Sequence, residues 1–267
     1  MLSKFQQFLE RENLARGTVA SYVWTVKHFA SQYYRFDKEN LLAYKGHLIE
    51  HFKPQTVNLR LQALNKFLKF SGRERLKLKL VKVQQKNFLE NVVSNADYKF
   101  LKNKLKKDGY TEWYFVVWFL AATGARISEL LQIKAEHIEM GYLDMYTKGG
   151  KIRRLYIPKT LREEAGRYLR NNNILSGYVF RNRFGERITA RGIAQQLKYF
   201  ADKYGLNPKV IYPHSFRHRF AKNFLEKCND IALLADLMGH ESIETTRIYT
   251  RRTASEQQAI VDKIITW

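Results

Sequence analysis

The chain has 267 residues, 45% of them hydrophobic and 14% aromatic, and a formal charge of +22. That length suits two domains with buried cores, and the positive field suits a polyanion better than a neutral metabolite. The single cysteine, Cys228, excludes an intramolecular disulfide and a cysteine-based metal centre. No apolar run reaches the ~18–20 residues that span a bilayer, and the N-terminus lacks the apolar core of a secretory signal, so a cytoplasmic protein with no membrane partner is expected. The charge is spread along the chain: residues 1–90 hold 17 Lys and Arg against 7 Asp and Glu, which is +10 of the +22. Two basic domains are therefore expected rather than one basic tail.

In chain order, the first stretch predicts four helices. Leu2, Phe5, Phe8 and Leu9 make one apolar stripe. Thr18 is the expected cap of a second, carrying Val19, Tyr22, Val26 and Phe29 at helical spacing. Leu41, Tyr44 and Leu48 mark a third, and Val57, Leu61, Leu64 and Leu68 a fourth after Pro54. The fourth leaves Gln55, Thr56, Asn58, Arg60 and Lys66 on other faces, a basic and amide-bearing surface able to dock on DNA. An ordinary bundle with a solvated face fits the same pattern.

From residue 73 the pattern becomes alternating basic and apolar, without a helical stripe. It predicts an extended linker whose Lys77, Lys79, Lys82 and Lys86 can follow DNA backbones. The expected boundaries are a helical DNA-binding domain over 1–75, a linker over 76–93 and a second domain over 94–267. Ser94 is a helix cap, and Trp113 to Thr123 is a buried apolar helix broken by Gly124. Arg126 opens the next helix, with Glu129 one turn on; a surface ion pair or an oriented phosphate clamp both fit. Gly141 to Pro158 predicts a β-hairpin turning at Gly149-Gly150. Lys148 stands at its tip, and Lys151, Arg153 and Arg154 suit contacts to backbone phosphates. Two amphipathic helices follow over 160–205, with a short strand at Val179 to Asn182 between them.

The richest stretch runs from Pro213 to Arg252. His214 and Arg217 stand three apart, on one helical face. Gly239 reads as a helix stop, His240 follows it, Ser242 caps a short helix and Tyr249 closes the segment. Two imidazoles, a guanidinium and a phenol in one region point to phosphodiester chemistry without a metal. Tyr204 and Tyr212 are weaker candidates for the phenol. His28, His47, His51, His137 and His218 read as core or surface histidines. A metal pair of His214 and His218 lacks the intervening carboxylate of an H-E-x-x-H site.

These residues resemble the signature of the tyrosine recombinases, the phage integrase family: H-x-x-R at His214 and Arg217, G-H at Gly239 and His240, and a tyrosine nine residues on at Tyr249. The earlier arginine with an acidic residue three on matches Arg126 and Glu129, and the hairpin lysine matches Lys148. The resemblance implies a mainly α fold with a small β-hairpin. It comprises an N-terminal four-helix core-binding domain and an α+β catalytic domain, closing as a C-shaped clamp around DNA. It implies a site-specific recombinase making a 3′-phosphotyrosyl intermediate and a Holliday junction. Tyr249 is then the nucleophile, and Arg126 and Arg217 hold the non-bridging oxygens. Lys148 is the general acid, His214 moves the nucleophile's proton, and His240 bonds the phosphate while Glu129 braces the site. No metal or other cofactor is implied. Nothing precedes the first bundle helix, so the resemblance is to members without an arm-binding domain; it leaves open integration of a mobile element, excision and chromosome resolution.

The implied partners are double-stranded DNA and three further copies, a homotetramer on two DNA sites. Ala259, Ile260, Val261, Ile264 and Ile265 form the apolar stripe of a last helix expected to dock on the neighbouring subunit. A type IB topoisomerase-like enzyme and a DNA-binding regulator with a dormant site share much of this pattern.

Overall fold

The computed structural model describes residues 1–83, 91–146, 152–240, 242–250 and 261–265. The chain divides into two compact units, Met1–Gln85 and Lys86–Trp267. The expectation of a mainly helical protein with one small hairpin holds.

The first unit is four helices, α1 (Leu2–Arg11), α2 (Arg16–Gln32), α3 (Lys38–His51) and α4 (Pro54–Phe70). Their stripes meet in one core that includes Phe5, Leu9, Phe29, Tyr44, Leu61 and Leu64. Asp37 caps α3 by accepting from the Asn40 N–H at 2.9 Å, and Pro54 opens α4, where its missing N–H costs nothing. Thr18 is not the cap of α2. The helix starts at Arg16 with Ala15 at the cap position, and the Thr18 N–H already bonds the Ala15 carbonyl.

The extended stretch after α4 is fastened to the bundle. A 3₁₀ turn, Glu74–Leu76, leads into it, and Leu78 inserts into the helical core. Asn65 clips the Leu78 backbone, donating to its carbonyl at 2.9 Å and accepting from its N–H at 2.8 Å. Asn58 holds Val81 the same way, at 2.9 Å in both directions. A side-chain amide has the donor and acceptor of a peptide, so each asparagine acts as a short piece of partner strand. Periodicity shows extended backbone here, but not that helix amides pair with it.

The second unit begins with α5 (Asn95–Lys107), capped by the Ser94 hydroxyl, and α6 (Thr111–Thr123), the nearly all-apolar helix at the centre of its core. Gly124 ends α6 in the left-handed region at φ 62°, where a Cβ would collide with the Phe220 ring. Two short helices, α7 (Ile127–Leu130) and α8 (Ala135–Met140), lead to strands β1 (Tyr142–Tyr146) and β2 (Ile152–Tyr156). The strands are antiparallel in the register Tyr142 opposite Tyr156. Leu143, Met145, Arg153 and Leu155 face inward in strict alternation. The hairpin turn, with Lys148, Gly149, Gly150 and Lys151, lies outside the described residues.

Helices α9 (Lys159–Asn171) and α10 (Ala190–Lys203) follow. Between them the expected strand at Val179 to Asn182 is reduced to isolated bridges, Lys134 to Tyr178 and Arg181 to Arg187. The unit closes with α11 (Pro213–Lys227), α12 (Ile231–Met238), α13 (Ile243–Thr246) and a 3₁₀ turn, Arg247–Tyr249. Ser215, inside the H-x-x-R stretch, is fully buried and accepts from the Val93 N–H at 2.7 Å, which pins the start of the unit to α11.

Candidate active site

The carboxylate of Glu129 is the centre of the site. At the start of α7, Arg126 is the N-cap residue; its backbone N–H and its Nη1 donate to the two oxygens of Glu129, each at 2.7 Å. Arg153 of β2 pairs with the same carboxylate. Burial alone would raise the Glu129 pKa, but the Arg153 charge and the bonds from Arg126 outweigh it and hold the carboxyl below its usual range. The carboxylate therefore stays charged where three guanidiniums converge, with Arg217 Nη1 at 4.0 Å.

Arg217 is 3% exposed and spends its donors on the backbone. Nη1 bonds the Gly124 carbonyl and Nη2 the Met238 carbonyl, both at 2.6 Å. These carbonyls belong to the ends of α6 and α12, each turned off by a left-handed glycine that bares its last C=O groups. Arg126 Nη2 uses the Gly239 carbonyl in the same way, at 3.1 Å. Two helix C-termini thus aim two arginines. The Arg217 pKa is lowered to about 10 by burial and by its neighbours Arg126 and Arg153, so it keeps its charge at neutral pH.

His240 completes the group. Arg217 Nη2 lies 3.1 Å from His240 Nε2, and a guanidinium can only donate, so Nε2 accepts. The proton then resides on Nδ1, which donates to the buried Thr246 hydroxyl at 2.7 Å. Burial, then the charges of Arg217, Arg126 and Arg153, bring the His240 pKa down to about 4. His214, in the first turn of α11, is exposed, and partial desolvation followed by Arg217 and Arg126 lowers its pKa. A cleft of about 660 Å³ opens beside Arg126, His240, Tyr146 and Arg154.

Tyr249 sits in the same unit, 8% exposed, its ring packed in a small cluster with Ala221, Leu234 and Met238. Its hydroxyl lies 2.8 Å from Nδ1 of His218. Burial drives the phenol up to about 12 against the pull of Arg217 and Arg126. Of the expected residues, then, Arg126, Glu129, Arg217 and His240 are joined by hydrogen bonds or ion pairs, and Tyr249 and His214 stand beside them. Lys148 lies outside the described residues.

Two side chains differ from the sequence reading. Arg153, expected on DNA phosphates, is 4% exposed and donates to the Leu237 carbonyl through Nε at 3.1 Å and Nη2 at 2.7 Å. The inward phase of β2 carries it under the site, so it supports Glu129. His218, read as an ordinary histidine, is the polar partner of Tyr249; its i,i+4 spacing from His214 was the available signal.

Other expected contacts vary in how free they are. Arg154 is paired across the hairpin with Asp144 at 2.7 and 2.6 Å. Arg60 lies between the rings of Trp24 and Phe52, Lys66 is paired with Glu12, and Asn58 is occupied by Val81. Gln55, Lys77, Lys79 and Lys82 are exposed, Thr56 partly so, and Lys151 lies outside the described residues. Among the described residues, no three His, Cys, Asp or Glu side chains are grouped to hold a metal ion, and no helix is long and apolar enough to cross a membrane.

Comparison with known proteins agrees with this geometry. The chain is 32% identical to the tyrosine recombinase XerA of Pyrococcus furiosus, over 98% of this chain and 93% of that one. It is 30% identical to the tyrosine recombinase XerA of Pyrococcus horikoshii, with the same shares covered. The structure of the Tn1549 transposon integrase in complex with transposon right end DNA superposes with a TM-score of 0.75 at 16% identity, over 98% of this chain and 99% of that one. At that identity the likeness speaks for the fold. Residues 88–256, which hold Arg126, Glu129, His214, Arg217, His240 and Tyr249, match the phage integrase family model, and the chain belongs to the phage integrase family.

Proposed function

We propose that this protein is a site-specific DNA recombinase that cuts and rejoins duplex DNA through a covalent bond to Tyr249. The observation that carries the reading is the junction of Arg126, Arg217 and His240 at two helix ends, in the same unit as a buried tyrosine. Preorganised guanidiniums are suited to the charge that grows on non-bridging phosphate oxygens in the transition state. The carbonyls of Gly124, Met238 and Gly239 and the Glu129 carboxylate fix their planes beforehand. That orientation cost is met in folding rather than at the moment of reaction.

In the reaction, the Tyr249 oxygen attacks phosphorus and the bond to the 5′-oxygen breaks. The 3′-phosphate is left on the tyrosine, and the 5′-oxygen takes a proton to become a hydroxyl. Lys148 is the proposed donor of that proton. The phenolic proton of Tyr249 leaves as its oxygen bonds phosphorus, and His214, exposed beside the arginines, is the proposed acceptor. The attack then runs in reverse with the 5′-hydroxyl of a partner strand. One phosphodiester is exchanged for another, so the sequence of steps needs no external energy source.

The partner is double-stranded DNA. Exposed Gln55, Lys77, Lys79 and Lys82 support a backbone contact by the first unit, and each neutralised phosphate adds to salt dependence. Val261, Ile264 and Ile265, each about half exposed or more, support docking of the last helix on a neighbouring copy in a tetramer.

The test is incubation with nicked suicide duplexes in EDTA followed by a denaturing gel. Wild type should give a protein–DNA adduct and Tyr249→Phe none. An adduct that persists in Tyr249→Phe, or relaxation of any supercoiled plasmid without recombinant product, would overturn the reading.

A further inference from the structure

The family signature leaves one half-buried imidazole without a role. His218 directly follows Arg217 on α11, so the two side chains leave the helix about 100° apart. Arg217 turns toward the ends of α6 and α12, while His218 turns toward the 3₁₀ turn that carries Tyr249. The Tyr249 ring lies among Ala221, Leu234, Met238 and Ile248, apolar groups that fix its plane but give its hydroxyl no partner. His218 Nδ1, at 2.8 Å, supplies one.

We propose that His218 is the positioning residue of the Tyr249 nucleophile, its Nδ1 accepting the phenolic hydrogen and holding the oxygen within its own catalytic unit until a phosphate arrives. The inference rests on Tyr249 being the nucleophile.

The direction of the bond follows from the two groups. Burial, with His214 and Arg217 adding to it, lowers His218 to about 4, while the phenol stands at about 12. Both groups are therefore neutral, and since the other neighbours of the phenol are apolar, its O–H donates to Nδ1 and the ring's own hydrogen is on Nε2. His218 aims a protonated phenol rather than ionising it in advance. Its ring lies 5.6 Å from the tyrosine ring and 6.2 Å from that of His214, so His214, His218 and Tyr249 form a file from the exposed mouth inward. His214 remains free to take the phenolic proton when the oxygen leaves His218 for phosphorus.

The experiment compares wild type, His218→Leu and His218→Asn as full-length chains. The asparagine amide offers an acceptor near the Nδ1 position, and leucine keeps volume without one. Single-turnover cleavage of the nicked duplex should fall about 10- to 100-fold in His218→Leu, the scale of a misplaced reacting atom. DNA affinity should be unchanged, and His218→Asn should return to within about fivefold of wild type. Carbon-13 NMR of labelled tyrosine, taken without DNA, should show the Tyr249 ring signal shifted in His218→Leu and near wild type in His218→Asn. Thermal unfolding of both variants separates a lost contact from a lost fold, since His218→Asn must then fold as wild type does. A His218→Leu protein that cleaves at the wild-type rate, or a Tyr249 signal indifferent to both changes, would overturn the role of His218 alone. A wild type that forms no adduct would instead overturn the assignment of the nucleophile.

Discussion

Arg153 and Glu129 form an ion pair sealed from solvent, the arginine 4% and the glutamate 8% exposed, directly beneath the arginine that opens α7. Removing one partner of such a pair strands a buried charge, at a cost of about 3–5 kcal/mol. Arg153→Met should therefore destabilise the catalytic unit by roughly that amount and leave Arg126 without a fixed plane. Denaturant unfolding should register the loss, and Arg153→Met/Glu129→Met should recover much of the stability without restoring cleavage.

Gly239 is the point where α12 stops and the site begins. Its φ of +61° is in the left-handed region, and a Cβ there would strike the side chain of Arg153. Both penalties act together at Gly239→Ala. The expected cost is about 1–3 kcal/mol for the backbone alone. A larger loss of cleavage should follow, because the Gly239 carbonyl and the next residue, His240, move with it. Unfolding and single-turnover cleavage measured side by side check this.

Acid should weaken the DNA-free catalytic unit before it protonates most carboxylates. His218 and His240 have folded pKa values of about 4, below the ordinary 6.5, because burial disfavours their charged forms. A depressed folded pKa contributes stability above the unfolded pKa and loses it as pH falls, so the window runs from about 6.5 down to about 4. Each histidine can contribute up to about 3 kcal/mol across that window. Melting temperature followed from pH 7 to 4 should fall, and His240→Asn should flatten the fall.

The asparagine clips make a prediction for the first unit. Asn65→Ala leaves the Leu78 N–H and C=O without their partners, which costs about 1–3 kcal/mol for each buried group. Asn58→Ala should act similarly on Val81. Amide hydrogen exchange should rise at Leu78 and Val81, and DNA affinity should fall at low salt as Lys77, Lys79 and Lys82 lose their fixed spacing.

How legible the site was depends on where each residue's partners sit along the chain. Arg126 and Glu129 are three apart, so their pairing is within reach of one helical turn, and the same spacing puts His214 and Arg217 on one face of α11. Gly124 and Gly239 were readable as helix stops, since a helix end that turns left-handed selects glycine. Arg153 was misread because alternation in a strand tells which residues share a face, not which face is covered. For His218 the i,i+4 spacing from His214 marks a shared helical face, but its partner Tyr249 is 31 positions away, beyond any spacing rule.

The sequence by itself determined the local matters: the helices and their stops, the hairpin, the apolar faces, the basic charge and the set of groups able to handle a phosphodiester. Those follow from backbone sterics and periodicity, which act within a few residues. The tertiary structure decided which of the cations are spent inside the protein and which face outward. It also decided which carbonyls aim the arginines and which histidine meets the phenol. Such pairings are made between helix ends and side chains far apart in the chain, and only packing of the core brings them within hydrogen-bond range.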